Sequence, residues 1–313
     1  MSKCLLCYEP LSEQEKDYHT RCVKKLYGKK EVPVLDYSVE QLDTLAKEVV
    51  SNHITITGVQ PKLSMTIKEA APQQSARFTI VGLWGEYILK PPFGHYPNLP
   101  ENEDLTMHLA SLFKIATVPH GLVRMASGEL AYISRRIDRT KEGMKHMEDF
   151  CQLSGRLTED KYKGSMEQLA GIIDQYSSRS GFDKLSFFEV TIFCFLIGNA
   201  DMHRKNFSLF YNDKDEHVLS PAYDLVNTKL AMPEDLEEMA LMINGKKRKF
   251  KRKDFEGFGE KIGLSPKQIE NTFKRFIKLE KKTYDWVQKS FLTQEQKVSY
   301  QRIMAERFGR LKG

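Results

Sequence analysis

Residues 198–210 read GNADMHRKNFSLF and begin where a nearly uniformly apolar stretch, residues 185–199, comes to an end. The apolar stretch predicts a helix that is buried at the centre of a helical domain. Polar residues that directly follow a buried helix are positioned by a rigid element, as a functional site requires. Asp201 and Asn206 are therefore the first candidate site residues.

Asp201 and Asn206 have the same spacing as the Asp and Asn of the catalytic loop H-R-D-x-x-x-x-N of protein kinases. In that loop the Asp accepts the proton of the substrate hydroxyl, and the Asn holds a metal ion. Here His203 follows the Asp, so the usual order His-Arg-Asp is absent. A loop that caps itself with an Asp and an Asn explains the pair as well.

A second carboxylate follows a predicted hairpin. Residues 207–211 and 217–219 have strand character, residues 212–216 would close the turn, and residues 219–227 read LSPAYDLVN. Asp224, preceded by Tyr223, then corresponds to the Asp of D-F-G. Magnesium prefers one or two such hard oxygen ligands together with substrate phosphates. The hairpin followed by a second Asp favours a metal site over self-capping of the loop.

The chain before residue 140 consists mostly of predicted strands. Residues 54–65 predict two strands joined by a loop that contains Gly58, and residues 76–81 and 84–89 predict two more. Further strands follow in residues 118–137, interrupted at Ser127-Gly128. The Gly58 loop has hydroxyls and backbone amides and is followed by Lys62, so it can cover phosphates. An ordinary hairpin turn is the alternative.

Lys90 ends an apolar strand, because Pro91 and Pro92 follow it. Helical spacing of Leu105, Leu109, Leu112 and Phe113 predicts the next helix, and we expect Glu103 in its first turn. A strand lysine followed by a helix glutamate is typical of the ion pair that holds ATP phosphates in protein kinases. A surface Lys–Glu pair is the alternative.

This organisation predicts an α+β, bilobal protein-kinase-like fold with a small sheet-rich N-lobe and a larger, mainly helical C-lobe. We expect a Cys/His-containing segment at residues 1–30, the N-lobe at 31–138 and the C-lobe at 139–313, and 313 residues suffice for two domains. The longest apolar run, residues 190–197, is too short to span a membrane, and residues 1–7 lack the apolar stretch of a secretory signal. We therefore expect a cytoplasmic protein.

The first segment contains four soft metal ligands, Cys4, Cys7, His19 and Cys22, in two pairs with a short spacer. This arrangement suits a tetrahedral structural Zn²⁺ site in which no coordination position is left open for chemistry. Packing of the neighbouring side chains of Leu5, Leu6 and Tyr8 is the alternative. The remaining two cysteines lie in apolar surroundings, so we expect them in the core.

Positive charge is concentrated near the C-terminus. The formal net charge is +6, and residues 246–253 hold seven basic side chains and no acidic one. Asn244-Gly245 predicts a type I′ hairpin with this basic run on one strand. Such a surface suits nucleic acid, an acidic protein partner or an ordinary solvated face. Ser38 and Ser265 are predicted helix N-caps, and residues 292–294 begin the predicted last helix.

Taken together, the motifs resemble the HipA family of bacterial toxin serine/threonine kinases, and most closely its short HipT form. The matching stretches run in the family's order from Thr55 to Thr228, and they read ITGVQPKLS, ILKPP, NLPENE, SRRIDR, GNADMHRKNFSL and LSPAYDLVN. Longer HipA-like proteins carry an N-terminal subdomain without counterpart here. In the three-component HipT type, a separate small protein resembles that subdomain.

The resemblance implies a role for each matching position. Asp201 would be the catalytic base, Asn206 and Asp224 would bind Mg²⁺, and Lys90 would contact the ATP phosphates. The phosphate-covering loop would be Thr57, Gly58, Val59, Gln60, Pro61 and Lys62. Arg135, Arg136 and Ile137 would meet the adenine, and His203, Arg204, Lys205 and Tyr223 would line the nucleotide site. Thr55 and Thr57 stand where the family autophosphorylates hydroxyl residues to switch the enzyme off.

The resemblance also implies partners and a substrate. A HipB-like DNA-binding antitoxin would connect the chain to operator DNA, and a HipS-like small antitoxin would take the place of the missing subdomain. The substrate would be an aminoacyl-tRNA synthetase, by family analogy the tryptophanyl enzyme, whose phosphorylation blocks translation. The alternatives are a non-catalytic kinase-like scaffold in an antitoxin–operator complex and, less well supported, a small-molecule kinase.

Overall fold

The structure is a computed structural model that describes residues 2–42, 44–45, 61–69, 75–82, 84–140 and 143–313. The chain divides into two compact units. Unit 1 comprises Met1–Asp104, Val118–Arg139 and Lys289–Phe291, and unit 2 comprises Leu105–Thr117, Thr140–Gln288 and Leu292–Gly313. The domain boundaries at residues 30 and 138 remain predictions. None of the helices in the described ranges has both the length and the apolar composition that a membrane crossing needs.

The strands are numbered in chain order. They are β1 Leu63–Lys68, β2 Arg77–Ile80, β3 Tyr87–Lys90, β4 His120–Arg124, β5 Leu130–Arg135, β6 Arg139–Thr140, β7 Gly143–Met144, β8 Met147–Asp149, β9 Ser208–Tyr211 and β10 His217–Leu219.

The helices are numbered in the same way. They are α1 Thr20–Tyr27, α2 Leu99–Leu112, α3 Phe150–Leu153, α4 Met166–Tyr176, α5 Ser180–Ile197, α6 Thr228–Ala231, α7 Arg252–Lys261, α8 Pro266–Lys278, α9 Glu280–Lys289 and α10 Gln294–Lys312. Residues 39–42 form a further helical turn.

Unit 1 is built on an antiparallel sheet whose described strands follow the order β2-β1-β3-β5-β4. Alternation along these strands points one set of apolar side chains to a common core. Tyr27 of α1 lies against Phe78 and Tyr87 there, with ring centroids 5.7 and 5.8 Å away. The strands predicted at 76–81, 84–89 and 118–137 are confirmed. The strand predicted before Gly58 falls on residues that the structure does not describe.

Helix α2 begins earlier than predicted. It starts at Leu99, so Glu103 lies beyond its first turn and Phe113 lies just after its end, which corrects both placements. The reason is local: Asn98 adopts a left-handed φ of 57°, and its carbonyl accepts the first backbone bond, from Asn102. Pro100 fits an early helical position because no backbone donor is needed there.

Unit 2 is organised around α5. Its residues from Phe187 to Ile197 are almost completely removed from solvent, as predicted for the apolar stretch, although the helix begins five residues earlier, at Ser180. The predicted hairpin is confirmed as β9 and β10, which pair antiparallel, and β8 adds to the other side of β9. The amide of Leu219 donates to Asp183 of α5 at 2.8 Å, which fixes the hairpin to the helix.

The predicted N-caps Ser38 and Ser265 are confirmed, and Thr293 caps the last helix in the same way. The side chains of Ser38, Ser265 and Thr293 accept hydrogen bonds from backbone amides three residues later, at Gln41, Gln268 and Gln296 respectively. The backbone amide of each cap residue in turn donates to the side-chain oxygen of the corresponding glutamine, which completes a capping box.

The prediction for the basic run was half right. Asn244 and Gly245 form the predicted tight turn, with φ values of 51° and 76°, but only one bridge, Ile243 to Lys246, closes it. No strands extend from it in this fully described region, because Met242 bonds instead to residues 164 and 166. Acidic partners neutralise part of the run: Lys246 pairs with Asp254, and Lys247 pairs with Glu237.

Candidate active site

A buried ion pair joins β3 to α2 within unit 1. The Lys90 ammonium lies 2.6 and 2.8 Å from the two carboxylate oxygens of Glu103, and both side chains are at most 5% exposed. Lys90 stands opposite Tyr132 in β5, and its ammonium lies 5.4 Å from the centre of that ring. Two charges removed from water in this way are costly unless they are paired. A surface Lys–Glu pair, the alternative interpretation, is therefore wrong.

The loop after α5 is held at its start by the residues that follow Asp224. Gly198 ends the helix with a left-handed φ of 79°, and a Cβ at this position would lie 2.8 Å from the side-chain oxygen of Asn227. The Thr228 hydroxyl accepts from the amide of Ala200 at 2.8 Å and donates to the carbonyl of Gly198 at 3.1 Å. The two motifs GNAD and YDLVN are thus joined directly in unit 2.

Internal hydrogen bonds fix Asp201 and Asn206 within this loop. The amide of Asp201 donates to the side chain of Asn199 at 2.9 Å. The side-chain nitrogen of Asn206 donates to the carbonyl of Asp201 at 3.0 Å, which closes the loop over the five-residue spacing. Because the nitrogen of the amide is used in this bond, its oxygen remains as the ligand atom for a cation.

Tyr162 is the site residue that the sequence analysis missed. Its phenol donates to a carboxylate oxygen of Asp201 at 2.5 Å, and its ring packs edge-on against His203. Burial, together with the charges of Asp201 and Asp224, raises the pKa of Tyr162 well above its ordinary value. The phenol therefore stays protonated and keeps donating at any pH near neutrality. Its sequence neighbourhood, a loop of charged residues, contains no motif that would have indicated this contact.

Asp224 is positioned by its neighbour Tyr223. The Tyr223 hydroxyl donates to the carbonyl of Lys205 at 3.1 Å, so the Ser208 hydroxyl, 2.6 Å away, must be the donor in the second bond. Asp224 itself has a left-handed φ of 59°. Its negative charge contributes, after burial and the charge of Asp201, to the raised pKa of Tyr162.

The oxygens of Asn206 and Asp224 fit a magnesium ion. An amide oxygen and a carboxylate are the hard ligands that Mg²⁺ takes from a protein when phosphates and water complete its shell. The amide of Asn206 is oriented by its nitrogen, and Asp224 is oriented by the bonds of Tyr223. The donor set therefore agrees with the predicted metal ligands, whose role remains a prediction.

Two basic side chains of the loop are engaged elsewhere in unit 2. The guanidinium of Arg204 is 1% exposed and donates to the carbonyl of Lys163 at 2.7 Å and to Gln168 at 2.8 Å. The Lys205 ammonium donates at 2.8 Å to Asp149. These bonds hold the loop to residues 149–168. We therefore treat both side chains as supports of the loop, while their predicted contact with ATP stays untested.

The segment predicted to meet adenine consists of Arg135, the last residue of β5, and the two residues that follow this strand in unit 1. The amides of Arg135 and Arg136 donate to the carbonyls of Pro119 and Glu86, both at 2.8 Å. The Arg136 side chain pairs with the buried Asp138, which also binds Arg139. Because these two amides are already used, adenine recognition by the backbone of this segment would have to use the amide of Ile137 or the carbonyl groups of the segment.

Part of the predicted phosphate-covering loop is described and part is not. Thr55, Thr57, Gly58, Val59 and Gln60 lie outside the described residues, whereas Pro61 and Lys62 lead directly into β1. The predicted autophosphorylation sites thus have no structural account.

A cavity of about 300 Å³ opens beside Asp201 in unit 2. Tyr162, Asp201, Asp235, Glu237 and Lys247 are among the residues that line it. Its volume is large enough for an amino-acid side chain that approaches the carboxylate. The cavity therefore provides space for an acceptor group next to the candidate base.

Comparison with known proteins places these features in a family. The family model of the HipA-like C-terminal domain matches residues 54–283. A "Putative kinase" of Haemophilus influenzae is 29% identical over 94% of this chain and 93% of its own length. The serine/threonine-protein kinase toxin HipA of Shewanella oneidensis is 28% identical over 60% of this chain. The chain spans about half of that relative, 46% of its length.

The fold agrees with the sequence comparison. The structure of the Shewanella oneidensis HipA, solved as a complex with HipB and its operator DNA, superposes with a TM-score of 0.66 at 20% identity. The match covers 85% of this chain and 70% of that chain. The predicted α+β, kinase-like fold is therefore confirmed. The matched residues span most of the chain, and the chain belongs to the family of HipA-like C-terminal domains.

Proposed function

We propose that this protein is a toxin-type serine/threonine protein kinase that transfers the γ-phosphate of ATP to a protein hydroxyl. The observation that carries the proposal is the loop from Gly198 to Asn206, closed by its own hydrogen bonds and joined to the segment that contains Asp224. Family membership supports it, because relatives carry the names kinase and kinase toxin. The buried pair of Lys90 and Glu103 supports it independently.

Each residue then has a defined task. Asp201 accepts the proton of the acceptor hydroxyl, whose oxygen forms a bond to the γ-phosphorus while the bond from that phosphorus to the bridging oxygen breaks and ADP leaves. Asn206 and Asp224 hold Mg²⁺, which when bound neutralises phosphate charge. Lys90 contacts the phosphates, and Glu103 keeps its ammonium in place. Catalysis thus depends on alignment and charge neutralisation.

The substrate and partners follow from the family analogy. We propose an aminoacyl-tRNA synthetase as the substrate, with the tryptophanyl enzyme as the first to test. A HipB-like antitoxin would bind this chain and connect it to DNA, as the complex of the Shewanella relative with HipB and operator DNA suggests. A HipS-like small protein would supply the N-terminal subdomain that longer HipA-like proteins carry. The cavity beside Asp201 would receive the substrate side chain.

The direct test is transfer of labelled γ-phosphate from ATP to purified synthetases. We expect transfer that requires Mg²⁺ and yields phosphoserine or phosphothreonine. Transfer to a small molecule but to no protein would instead identify the chain as a small-molecule kinase.

Autophosphorylation should occur at Thr55 or Thr57. A phosphate adds about −1.5 to −2 charges next to a site for ATP phosphates, so it favours the inactive state of the loop. We expect the double variant Thr55→Ala/Thr57→Ala to lose most of the phosphate that the chain incorporates into itself, measured as intact mass after incubation with ATP. The control variant Thr44→Ala should keep the wild-type phosphate count. An unchanged count in the double variant would reject both sites.

Tyr162 should act as a positioning residue for Asp201. Hydrogen bonds to charged groups contribute about 1.5–3 kcal/mol, so we expect Tyr162→Phe to lower kcat by about tenfold or more. The KM for ATP should stay the same, because the phenol contacts the base and no phosphate ligand proposed here. Tyr176→Phe is the matched control on the surface of the same unit. A wild-type or higher kcat for Tyr162→Phe would rule out this role.

A further inference from the structure

The four soft ligands near the N-terminus converge on one point in unit 1. The sulfurs of Cys4, Cys7 and Cys22 and a ring nitrogen of His19 all lie within 4.8 Å of one another. Two of these separations are 3.3 Å, from Cys7 to His19 Nδ1, and 4.0 Å, from Cys22 to the same nitrogen. Ligand atoms around one tetrahedral Zn²⁺ lie about 3.5–3.8 Å apart, given bonds of about 2.0–2.3 Å. The separations between these ligand atoms are therefore close to those around a single bound ion.

The orientation of His19 provides an independent observation. Its Nε2 lies 3.0 Å from the carbonyl oxygen of Pro10, which can only accept a hydrogen bond. Nε2 therefore carries the ring proton, and Nδ1 directs its lone pair toward the cysteine sulfurs. Metal-bound histidines show this arrangement, because the outer hydrogen bond fixes both tautomer and ring orientation.

The backbone around Cys4 is also suited to a metal-bound thiolate. The amides of Leu6 and His19 donate to the Cys4 sulfur at 3.5 and 3.4 Å. Both bonds stabilise negative charge on the sulfur. The amide of Tyr8 bonds to the carbonyl of Cys4, and Tyr8 adopts a φ of 63°, so the chain turns tightly and directs Cys4 and Cys7 to the same side.

The apolar residues of the same turn pack into the core of unit 1. Leu6 lies against the backbone of β4 so closely that a Cβ on Gly121 would lie 2.1 Å from it. The Tyr8 hydroxyl donates to Asp104 at 2.7 Å, and the other carboxylate oxygen of Asp104 lies 2.7 Å from His120. The sequence left packing and metal binding as alternatives, and in the structure the same turn provides both packed side chains and clustered ligand atoms.

We infer that Cys4, Cys7, His19 and Cys22 bind one structural Zn²⁺ that holds residues 3–22 in their observed conformation. All four ligands come from the protein and Cys4 is completely buried, so the ion has a structural role. The ion fixes the turn that presents Tyr8 to Asp104, the residue after Glu103. It thereby supports the helix turn that holds the partner of Lys90, a consequence that rests on the proposed function.

The test is the metal content of the purified full-length chain. We expect close to one zinc ion per chain, measured by inductively coupled plasma mass spectrometry. The variant His19→Gln should lose this zinc. His146→Gln is the matched control, because His146 is an exposed histidine of the other unit. This variant should keep the zinc. Asp201→Asn should keep it too, so that a failed kinase proposal and a failed zinc proposal give different results.

Replacement of the metal by Co²⁺ in the wild-type chain makes the test independent of variant stability. We expect the intense visible absorption of tetrahedral cobalt bound by thiolates, and a lower Tm when a chelator removes the metal. A wild-type chain that neither contains zinc nor takes up Co²⁺ would overturn the inference. Recovery of the cysteines as a disulfide in the freshly purified chain would do the same.

Discussion

Asp201→Asn is expected to bind Mg²⁺–ATP as the wild-type chain does and to transfer phosphate about 10²–10⁴-fold more slowly. The amide cannot accept the proton of the acceptor hydroxyl, yet it is isosteric with the carboxylate and can still accept the bond from Tyr162. Calorimetry should give a Kd for the nucleotide within about threefold of wild type, a difference below 1 kcal/mol. A discontinuous assay with labelled ATP gives the transfer rate.

Two further variants define what this result means. Asp213→Asn removes a carboxylate that is 94% exposed in the turn of the β9–β10 hairpin. This variant should leave both the Kd for the nucleotide and the transfer rate unchanged. Asp224→Asn should weaken Mg²⁺–ATP binding itself, because it removes a proposed metal ligand. Near-normal transfer by Asp201→Asn would exclude Asp201 as the base.

Lys90→Met is expected to lower the free energy of unfolding by about 3–5 kcal/mol and to abolish transfer. The substitution leaves Glu103 buried at 3% exposure without its ammonium partner, and an unpaired buried charge is strongly destabilising. Chemical denaturation, monitored by circular dichroism, measures the change in the free energy of unfolding. Arg77→Met is the control: it breaks an ion pair in the same unit whose side chains are 64% and 63% exposed, and it should cost at most about 1 kcal/mol.

The double variant Lys90→Met/Glu103→Met separates stability from function. Replacing both members of a buried pair by apolar residues is often neutral or stabilising. We therefore expect most of the lost stability to return while transfer stays absent. A double variant that regained phosphate transfer would show that the pair serves only the fold, and the nucleotide would then need another cation.

Features that short stretches of sequence determine were predictable. The N-caps at Ser38 and Ser265 depend on a few neighbouring residues, and the turn at Asn244-Gly245 depends on two residues that tolerate positive φ. The hairpin strands predicted around that turn do not form, because Met242 finds its backbone partners near Gly164, about eighty residues away. Local patterns do not contain such long-range competition.

In the candidate site, too, local features were predictable from the sequence and long-range contacts were not. The spacing of Asp201 and Asn206 left open both a kinase-like catalytic loop and a loop that caps itself, and the structure contains a bond from the Asn206 side chain to the Asp201 carbonyl. The contact of Tyr162 with Asp201 joins residues 39 positions apart and left no local signal. The motif did not indicate that the guanidinium of Arg204 donates to the carbonyl of Lys163, because that contact joins residues 41 positions apart. Tertiary packing decides where a long side chain points.

The most direct test of the central proposal is phosphoproteomics after brief expression of the wild-type chain and of Asp201→Asn. The account predicts that a small set of proteins, an aminoacyl-tRNA synthetase among them, gains phosphoserine or phosphothreonine only with the wild-type chain. Identical phosphoproteomes from the two chains, together with intact ATP binding, would contradict it and favour a kinase-like scaffold without catalytic activity.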